Sequence, residues 1–553
     1  MVGPRPILVM RSAHPCHAER PPLVMLSVVK HLVISVLSVS SVAYAAGVSE
    51  PPVTINGRDD GYRGIWYMNQ PSGDEYVYKY SGGLGTYCAK HQPFAVYRPQ
   101  ADKTFFCYGG AAKGDDRRLM HMVSYYDHKT GMVLRPTILL DKRTNDAHDN
   151  PVISVDGDGH VWVFSTSHGT GRPSYIHKSV RPYDVNTFEQ VAATKSEDGN
   201  DVPMTNFSYM QAWHVEGCGF ACFFTRYNYP ADRTICFMSS ADGVKWSPWQ
   251  RLAAMDKGHY QISAVTWNKR LSQEAVCYSD PERSEGEESL VFETQTLRVA
   301  HGDKSDVACR AGTAFNYHPS PQGLNWRTNL YYIETADLGG SWRTADGRPV
   351  EVPLTDANCA ALVYDYRAEG LLVYLKDIRF DGDGRPVILY ITSQGYESGP
   401  KNDPRTWTTA RWTGAAWEIR PAFTSDNNYD MGSLYIEADG SWRVIGPTQP
   451  GPQPYNPGGE VAMWASDDQG ASWRMVRQLT QAGPFNHTYV RRPVDAHRDF
   501  YALWADGHGR QPSPSSLYFC DIEGNVRVLP RAMDGDFAQP EVLEPQGTTN
   551  EEP

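Results

Sequence analysis

The sequence predicts an all-β fold, a seven-bladed β-propeller with Asp-bearing turns, six blades being the alternative count. Three observations predict it. A turn of the form Ser/Thr-x-Asp-x-Gly-x-Ser-Trp recurs along the chain. Short apolar or alternating runs flank its copies, and no long segment carries the 3.6-residue apolar period of a helix. Aromatic residues make up 12% of the 553 residues, beside 48 Gly and 39 Pro, which suits aromatic-rich strands separated by tight turns.

The turn is fullest at Thr335–Trp342 and Ser466–Trp473 and shortened at Ser240–Trp246; looser relatives are Asp156–Trp162, Asp381–Gly384 and Asp439–Trp442. Its chemistry explains its recurrence. The Asp carboxylate accepts backbone N–H groups within the turn, Gly supplies a positive φ, and Trp packs the turn onto the strand behind it. The strand-like runs are short: His160–Ser165, Gly219–Thr225, Asn329–Glu334, Gly370–Leu375, Pro386–Thr392, Glu460–Ala465 and Phe500–Ala505. The turns resemble the Asp-box, or bacterial neuraminidase repeat. Sialidases, lyases and non-catalytic propellers all carry it, so the resemblance implies an architecture rather than a chemistry.

The ends of the chain read differently. Lys30 and His31 precede an apolar run from Leu32 to Val42, and Ala43-Tyr44-Ala45 places small residues at a cleavage spacing. This predicts a secretory signal peptide with translation starting at Met25, hence a secreted or periplasmic protein. The run is short for a membrane span, so stable membrane insertion is not expected. The predicted organisation is an N-terminal extension plus signal peptide at 1–45, a linker at 46–58, a propeller catalytic domain at 59–521 and a Pro-, Gln- and Glu-rich tail at 522–553. Within the propeller, Arg270–Arg310 is charged and aperiodic and reads as an inserted surface loop. A net charge of -12 and a pI near 5.8 exclude a general nucleic-acid binder. They leave room for an anionic ligand held by a local Arg/His cluster. The 10 Cys form no C-x-x-C pair, so no zinc ribbon is indicated, and their pairing stays open. A monomer is expected.

Candidate chemistry sits in strand-end segments. His148 lies in Asn145–Pro151 and His168 in Ser165–Pro173, with one strand–turn–strand unit between them. Adjacent antiparallel strands bring such ends together. Tyr209 and Arg226 flank the next hairpin unit. Arg226 follows the apolar run Phe220–Phe224, and a charged head at such a strand end must reach water, a partner or a ligand.

This set resembles the propeller-type ulvan lyases of the neuraminidase-repeat-like superfamily. The stretches that carry the resemblance are Tyr62–Trp66, Tyr80–Tyr87, His148–Pro151, Ser167–Gly169, Ser208–Tyr209, Thr225–Tyr227, His259–Gln261, Gly312–Pro319 and Arg327–Tyr332, and together they span most of Asp59 to Gly509. The segments before Met25 and after Lys269 depart from the family pattern, and Met210 stands where the pattern has Pro. The resemblance implies a lyase that cleaves an anionic, uronic-acid-containing, ulvan-like sulfated polysaccharide by β-elimination, giving 4,5-unsaturated uronyl products. The reaction needs a base for the C5 proton, a cation for the uronate carboxylate and an acid for the leaving oxygen. His148, Tyr209 and Arg226 supply these types, the acid and base roles of His148 and Tyr209 being interchangeable, with His168 in positioning. Arg172, His259, Tyr260, Tyr317 and Arg327 are candidate substrate-binding residues. No cofactor is required for the chemistry; a structural zinc or calcium ion on His259, His318 and Cys277 is the metal expectation, its identity open. A sialidase-like hydrolase and a non-catalytic carbohydrate-binding propeller are the competing readings. Tyr62-Arg63-Gly64-Ile65 differs from the sialidase Phe-Arg-Ile-Pro signature.

Overall fold

The apolar runs between Gly- and Asp-bearing turns fold as strands. The computed structural model describes residues 53–87, 90–267 and 309–543. Among these residues the helical elements are two single 3-10 turns, Ala147–Asp149 and Pro400–Asn402. Everything else regular is strand, and seven of the sheets have four or more strands. Ala95–Arg98, Pro151–Val155, Ser208–Val215, Gln261–Trp267, Leu372–Phe380 and Ser433–Ile436, one strand from each of six successive sheets, each lie beside the next, and Asn486–Arg491 of the last sheet lies against Trp442–Gln449. A parallel bridge between Val96 and Val494 returns the last sheet to the first. The architecture is therefore all-β and propeller-like.

Burial between successive sheets holds the ring together. Trp162 and Phe164 of one sheet pack with Phe220 and Cys222 of the next and with Trp246 of a small three-stranded sheet beside them, all buried. Phe106 and Tyr126 of the first sheet meet Phe500 and Phe519 of the last across the closure. Fully burying such a side chain contributes about 1.5–3 kcal/mol, so each seam is stabilised by several aromatic anchors.

The fullest turn copies share one place in their sheets, between the third and fourth strands. Asp337 accepts from Thr335 Oγ1 (2.7 Å), Ser341 N (2.8 Å) and Ser341 Oγ (2.7 Å). Asp468 repeats the pattern with Ser466 Oγ, Ser472 N and Ser472 Oγ at 2.8, 2.9 and 2.6 Å. In the shortened copy Asp242 accepts from Val244 N and Lys245 N, both at 2.8 Å. The looser relatives instead join the first and second strands, for instance Asp381 between Leu372–Phe380 and Pro386–Ser393. The two sets are chemically alike but topologically distinct.

An N-terminal hairpin, Trp66–Pro71 paired with Tyr78–Gly83, seats on the last sheet. The approach is so close that a Cβ at Gly83 would fall 1.6 Å from the Asp506 carbonyl oxygen, so only glycine fits. This seating carries Tyr67, Lys79 and Tyr80 to one end of the ring.

The chain ends differ from the expected boundaries. Gly57–Arg58, placed in the linker, is a strand paired with Thr137–Asp141. The predicted tail from 522 is structured: Val526–Val528 extends the last sheet, Phe537–Ala538 pairs with Met132–Leu134, and Glu541–Val542 pairs with Val526–Val528. Edge strands need few apolar residues, because backbone hydrogen bonds rather than side chains hold them. The expected signal peptide lies outside the described residues, as does residue range 268–308 of the expected insertion. The strands that flank that range, Gln261–Trp267 and Cys309–Tyr317, pair in register with Trp267 opposite Cys309. No helix among the described residues is long and apolar enough to cross a membrane.

Candidate active site

In an antiparallel sheet the start of the first strand, the end of the second and the start of the third lie on one edge. His148 precedes the first strand Pro151–Val155, and His168 follows the second strand Val161–Ser165. Tyr209 starts a first strand, Arg233 starts a third, Tyr260 and Tyr429 precede first strands, and Arg327 precedes a third. All seven line one cavity of about 100 Å³, closed by Lys79, Tyr80, Tyr87 and Lys90 from the N-terminal segment.

At the base of this cavity two imidazoles share one carboxylate. Asp146 caps the 3-10 turn Ala147–Asp149 by accepting from His148 N. Its Oδ1 lies 2.5 Å from His148 Nδ1 and its Oδ2 2.8 Å from His168 Nδ1. The rings stack with centroids 4.0 Å apart. Arg172 donates to Asp146 Oδ2 (3.1 Å) and grips the buried Asp149 with two bonds of 2.7 and 2.8 Å. Asp149 in turn accepts from His168 N at 2.6 Å, which fixes the His168 loop.

This network assigns the tautomers. A carboxylate only accepts, so both Nδ1 atoms carry protons toward Asp146. His148 Nε2 is then an acceptor, and Tyr80 OH at 2.7 Å donates to it. Tyr87 OH, 2.8 Å from the same nitrogen, spends its proton on Tyr80 OH at 2.9 Å, which makes a chain from phenol through imidazole to carboxylate. Burial, reinforced by the adjacent His168, lowers the His148 pKa to about 4, so this imidazole is neutral near pH 7. Burial alone would raise Asp146, but its two imidazole partners hold it ionised, well below the usual carboxylate range. His168 is 27% exposed on its side chain, and among the described residues its Nε2 has no hydrogen-bond partner, so that nitrogen is open to a ligand.

The upper wall is cationic and aromatic. Lys79, Lys90, Arg233 and Arg327 line the cavity, and no carboxylate among the described residues does. Arg327 lies over Tyr374 and Tyr260 at 4.5 and 4.7 Å and donates to Tyr429 OH at 3.2 Å. Arg233 lies over Tyr260 and Tyr227 at 5.2 and 5.5 Å, and its Nε and Nη1 are buried with no hydrogen-bond partner. Burial, with Arg327 nearby, pulls the Lys79 pKa down to about 8. A buried cation is costly unless acceptors or an opposite charge face it.

Tyr209 enters through a backbone irregularity. Its φ is +50°, in the left-handed region, and the pairing register of its strand shifts between Ser208 and Gln211. Such a bulge re-aims a side chain, and strain of this kind gathers at functional sites. The Tyr209 ring sits edge-on to His148 (6.0 Å) and His168 (6.3 Å), and its hydroxyl accepts from Tyr227 OH at 3.1 Å.

Of the sequence-predicted residues, His148, His168, Tyr209, Tyr260 and Arg327 converge here. Arg172 stands behind the histidines as the clamp on Asp146 and Asp149. Arg226 does not face the cavity. Its Nη1 donates to Asn206 O (3.0 Å) and Asn206 Oδ1 (2.5 Å), and its guanidinium lies over Trp249 at 4.8 Å. The strand Gly219–Tyr227 does end at the right edge, but side chains alternate along it, so Tyr227 packs behind Tyr209 and His168 and Arg226 takes the other side. Arg233, directly opposite Tyr227 in the next strand, holds the place expected for Arg226.

Tyr317 is buried in the core and accepts from Arg367 Nη1 at 2.8 Å, away from the cavity. His259 is neither a substrate contact nor a metal ligand. Its Nε2 accepts from Met255 N and its Nδ1 meets Asn316 O, both at 2.8 Å, so no ring nitrogen is left. His318 Nδ1 is held by Trp326 O at 3.1 Å, its Nε2 is buried without a hydrogen-bond partner, and its ring packs on Tyr260. With no nitrogen left on His259, the two histidines do not form the expected metal pair, and Cys277 lies outside the described residues. Asp146, Arg233, Lys79, Lys90 and the phenols of Tyr80 and Tyr87 were missed. Asp146 alone had a local signal, a cap residue two positions before a histidine.

An all-β, propeller-like fold with a cationic, histidine-bearing pocket places the chain among the repeat-built β-propellers. The sequence matches the BNR repeat-containing family over residues 111–424, and the chain belongs to that family. Its fold is that of the propeller-type ulvan lyases. A solved polysaccharide lyase of family PL25, an ulvan lyase, is similar with a TM-score of 0.55 and 15% identity, over 83% of this chain and 95% of that one. The PL25 ulvan lyase bound to -[GlcA(1-4)Rha3S]- is similar with a TM-score of 0.55 and 14% identity, over 84% and 96%. The polysaccharide lyase Uly1 has a TM-score of 0.52 and 12% identity, over 84% and 99%. No curated protein matches the chain.

Proposed function

We propose that this protein is an exported polysaccharide lyase that cleaves an anionic, uronate-containing, ulvan-like sulfated polysaccharide by β-elimination. The observation that carries the reading is the pairing, in one cavity, of four cations lacking any lining carboxylate with an Asp146-bound imidazole pair and the Tyr209 phenol. The cations suit a sugar acid. The Arg233 guanidinium, with unpaired nitrogens, receives the uronate carboxylate and neutralises it, and Arg327 adds to the field. The C5–H bond is thereby acidified. The imidazole pair, neutral at His148 and backed by Asp146, takes the C5 proton. The C4–O bond breaks as the C4=C5 double bond forms, and the departing oxygen takes a proton from Tyr209.

The similar fold of an ulvan lyase bound to -[GlcA(1-4)Rha3S]- supports a uronate next to a sulfated sugar as the ligand. Seven larger sheets that adjoin in succession support a count of seven blades. The apolar run before Ala43-Tyr44-Ala45 supports export. The test is digestion of ulvan and of other uronate-containing glycans, read by ultraviolet absorbance and by reducing ends. Absorbance from the new double bond, rising with reducing ends, is expected. Reducing ends without absorbance mean hydrolysis, and retention of the glycan with neither means binding alone; either result overturns the proposal.

A further inference from the structure

The strands that lie beside one another around the ring enclose a second cavity, of about 240 Å³, toward the ends opposite the candidate active site. Five of them reach it. Arg98 ends Ala95–Arg98, and Ser154, His214, Thr266 and Arg379 lie one residue before the ends of Pro151–Val155, Ser208–Val215, Gln261–Trp267 and Leu372–Phe380. Asp495, next to the bridge between Val96 and Val494, supplies the one carboxylate of this lining among the described residues. Tyr209 and His214 are five residues apart along one strand, and Tyr260 precedes Thr266 by six, so about 15–20 Å of strand separates the two cavities.

This cavity holds a set of unspent donors. The Arg379 Nε is buried without a hydrogen-bond partner, and among the described residues no nitrogen of that guanidinium makes a hydrogen bond or an ion pair. The hydroxyls of Ser154 and Thr266 and the His214 ring also have no hydrogen-bond partner among the described residues. Arg98 is partly spent: its Nη2 donates to Val155 O at 2.6 Å, and its Nη1 lies 3.5 Å from Asp495 Oδ2. Asp495 is half-exposed, so solvent competes for its charge. Outside the lining, Arg492 and Asp377 face each other at 3.9 Å and offset one another. Two guanidinium groups thus share one half-exposed carboxylate, and the one without a partner is Arg379. Leaving a partly buried cation without an acceptor is costly.

We propose that this cavity binds a small oxyanion of the sulfate type, held by Arg379 together with Arg98 and the Ser154 and Thr266 hydroxyls. Ionised sulfate only accepts hydrogen bonds, and each of these groups donates. A guanidinium fork matches two oxygens of such an anion and keeps its charge at any working pH. Pockets that bury a whole organic ligand begin at about 300 Å³, so this one suits an ion with some water rather than a sugar chain. The ion ties four neighbouring strands together inside the ring. Because it binds only the folded chain, it raises stability by mass action. The site shares no residue with the other cavity, and the proposal stands whatever reaction that cavity performs.

The test is equilibrium dialysis of the full-length protein against radiolabelled inorganic sulfate, with chloride holding the ionic strength constant. One sulfate per chain should bind at this site and should persist in Arg233→Ala, which removes a guanidinium from the other cavity. Arg379→Gln should weaken that binding by about tenfold to a hundredfold, the weight of one charge-assisted hydrogen bond. Arg379→Lys should restore part of it, since an ammonium keeps the charge without the fork. Asp495→Asn removes the competing carboxylate and should tighten binding severalfold. Its φ of +51° is one that asparagine tolerates, so this variant decides the matter even if Arg379→Gln does not fold. Far-UV spectra of each variant separate lost binding from lost fold. No saturable sulfate uptake by the wild type, unchanged affinity in a folded Arg379→Gln, loss of all uptake in Arg233→Ala, or weaker binding in Asp495→Asn would each overturn the proposal.

Discussion

Replacing Asp146 by Asn keeps the shape of the side chain and removes its charge. One carboxylate oxygen takes the His148 backbone N–H (3.0 Å) and its Nδ1–H (2.5 Å); the other takes His168 Nδ1–H (2.8 Å) and Arg172 Nη2–H (3.1 Å). An amide offers a single acceptor oxygen. Whichever way it turns, its NH₂ faces donors on the other side, and one imidazole must move its proton from Nδ1 to Nε2. If that imidazole is His148, it can no longer accept from Tyr80; if it is His168, its open nitrogen ceases to be a base. Hydrogen bonds to a charged group contribute about 1.5–3 kcal/mol each, so two imidazoles lose about 3–6 kcal/mol of support. At about 1.4 kcal/mol per factor of ten, turnover should fall roughly a hundredfold to ten-thousandfold. Asp146 does not line the cavity, so KM should change little. The assay is the initial rate of absorbance from unsaturated uronyl ends, with circular dichroism to confirm the fold. Turnover close to wild type in a folded Asn variant would refute the shared-carboxylate reasoning.

Arg233→Ala removes the guanidinium that the cavity presents and should lower turnover by about a hundredfold to a thousandfold. Arg226→Ala, which acts on Asn206, should cost less turnover than Arg233→Ala and show mainly as a lower unfolding midpoint; the reverse ranking in side-by-side kinetics would restore Arg226 to the site. Burial lowers His148, His177, His214 and His259 from 6.5 to about 4. The unfolded chain takes up those protons first, so the stability they contribute is complete above pH 6.5 and is lost as pH falls toward 4. A urea midpoint that does not drop between about pH 7.5 and about pH 5 would count against these neutral buried rings. Gly470→Ala sets a Cβ 2.8 Å from Trp442 at a φ of +86° and should destabilise the protein by about 1–3 kcal/mol in chemical denaturation without affecting turnover.

How much of this was legible from the chain alone follows from the range of the interactions. The Asp turns are local: carboxylate, N–H donors and Gly lie within a few residues, so Thr335–Trp342 and Ser466–Trp473 announce both their chemistry and the all-β class. Strand ends are local too, and strand order alone placed His148, His168 and Tyr209 on one edge. Which face a side chain takes at that edge is settled by register and by bulges, and register depends on partners outside the segment. That is why Arg226 and Tyr227 were not told apart, and why Arg233 went unnoticed although it pairs with Tyr227. The charge balance of the cavity had no sequence signature at all. Lys79 arrives on a hairpin docked against the last sheet, Lys90 follows that hairpin, Arg327 comes from another sheet, and a chain with a net charge of -12 gives no hint that four cations line a cavity with no lining carboxylate among the described residues. The sequence by itself determined the class of fold, the turns and the strand-end histidines, because nearest-neighbour hydrogen bonding and alternation suffice for those. Only the tertiary structure decided the sharing of Asp146 by two imidazoles and the cationic wall. The first needs two strand ends brought into register, and the second joins groups distant in sequence, where the cost of closing long loops is met by the packing of the whole ring rather than by any local segment.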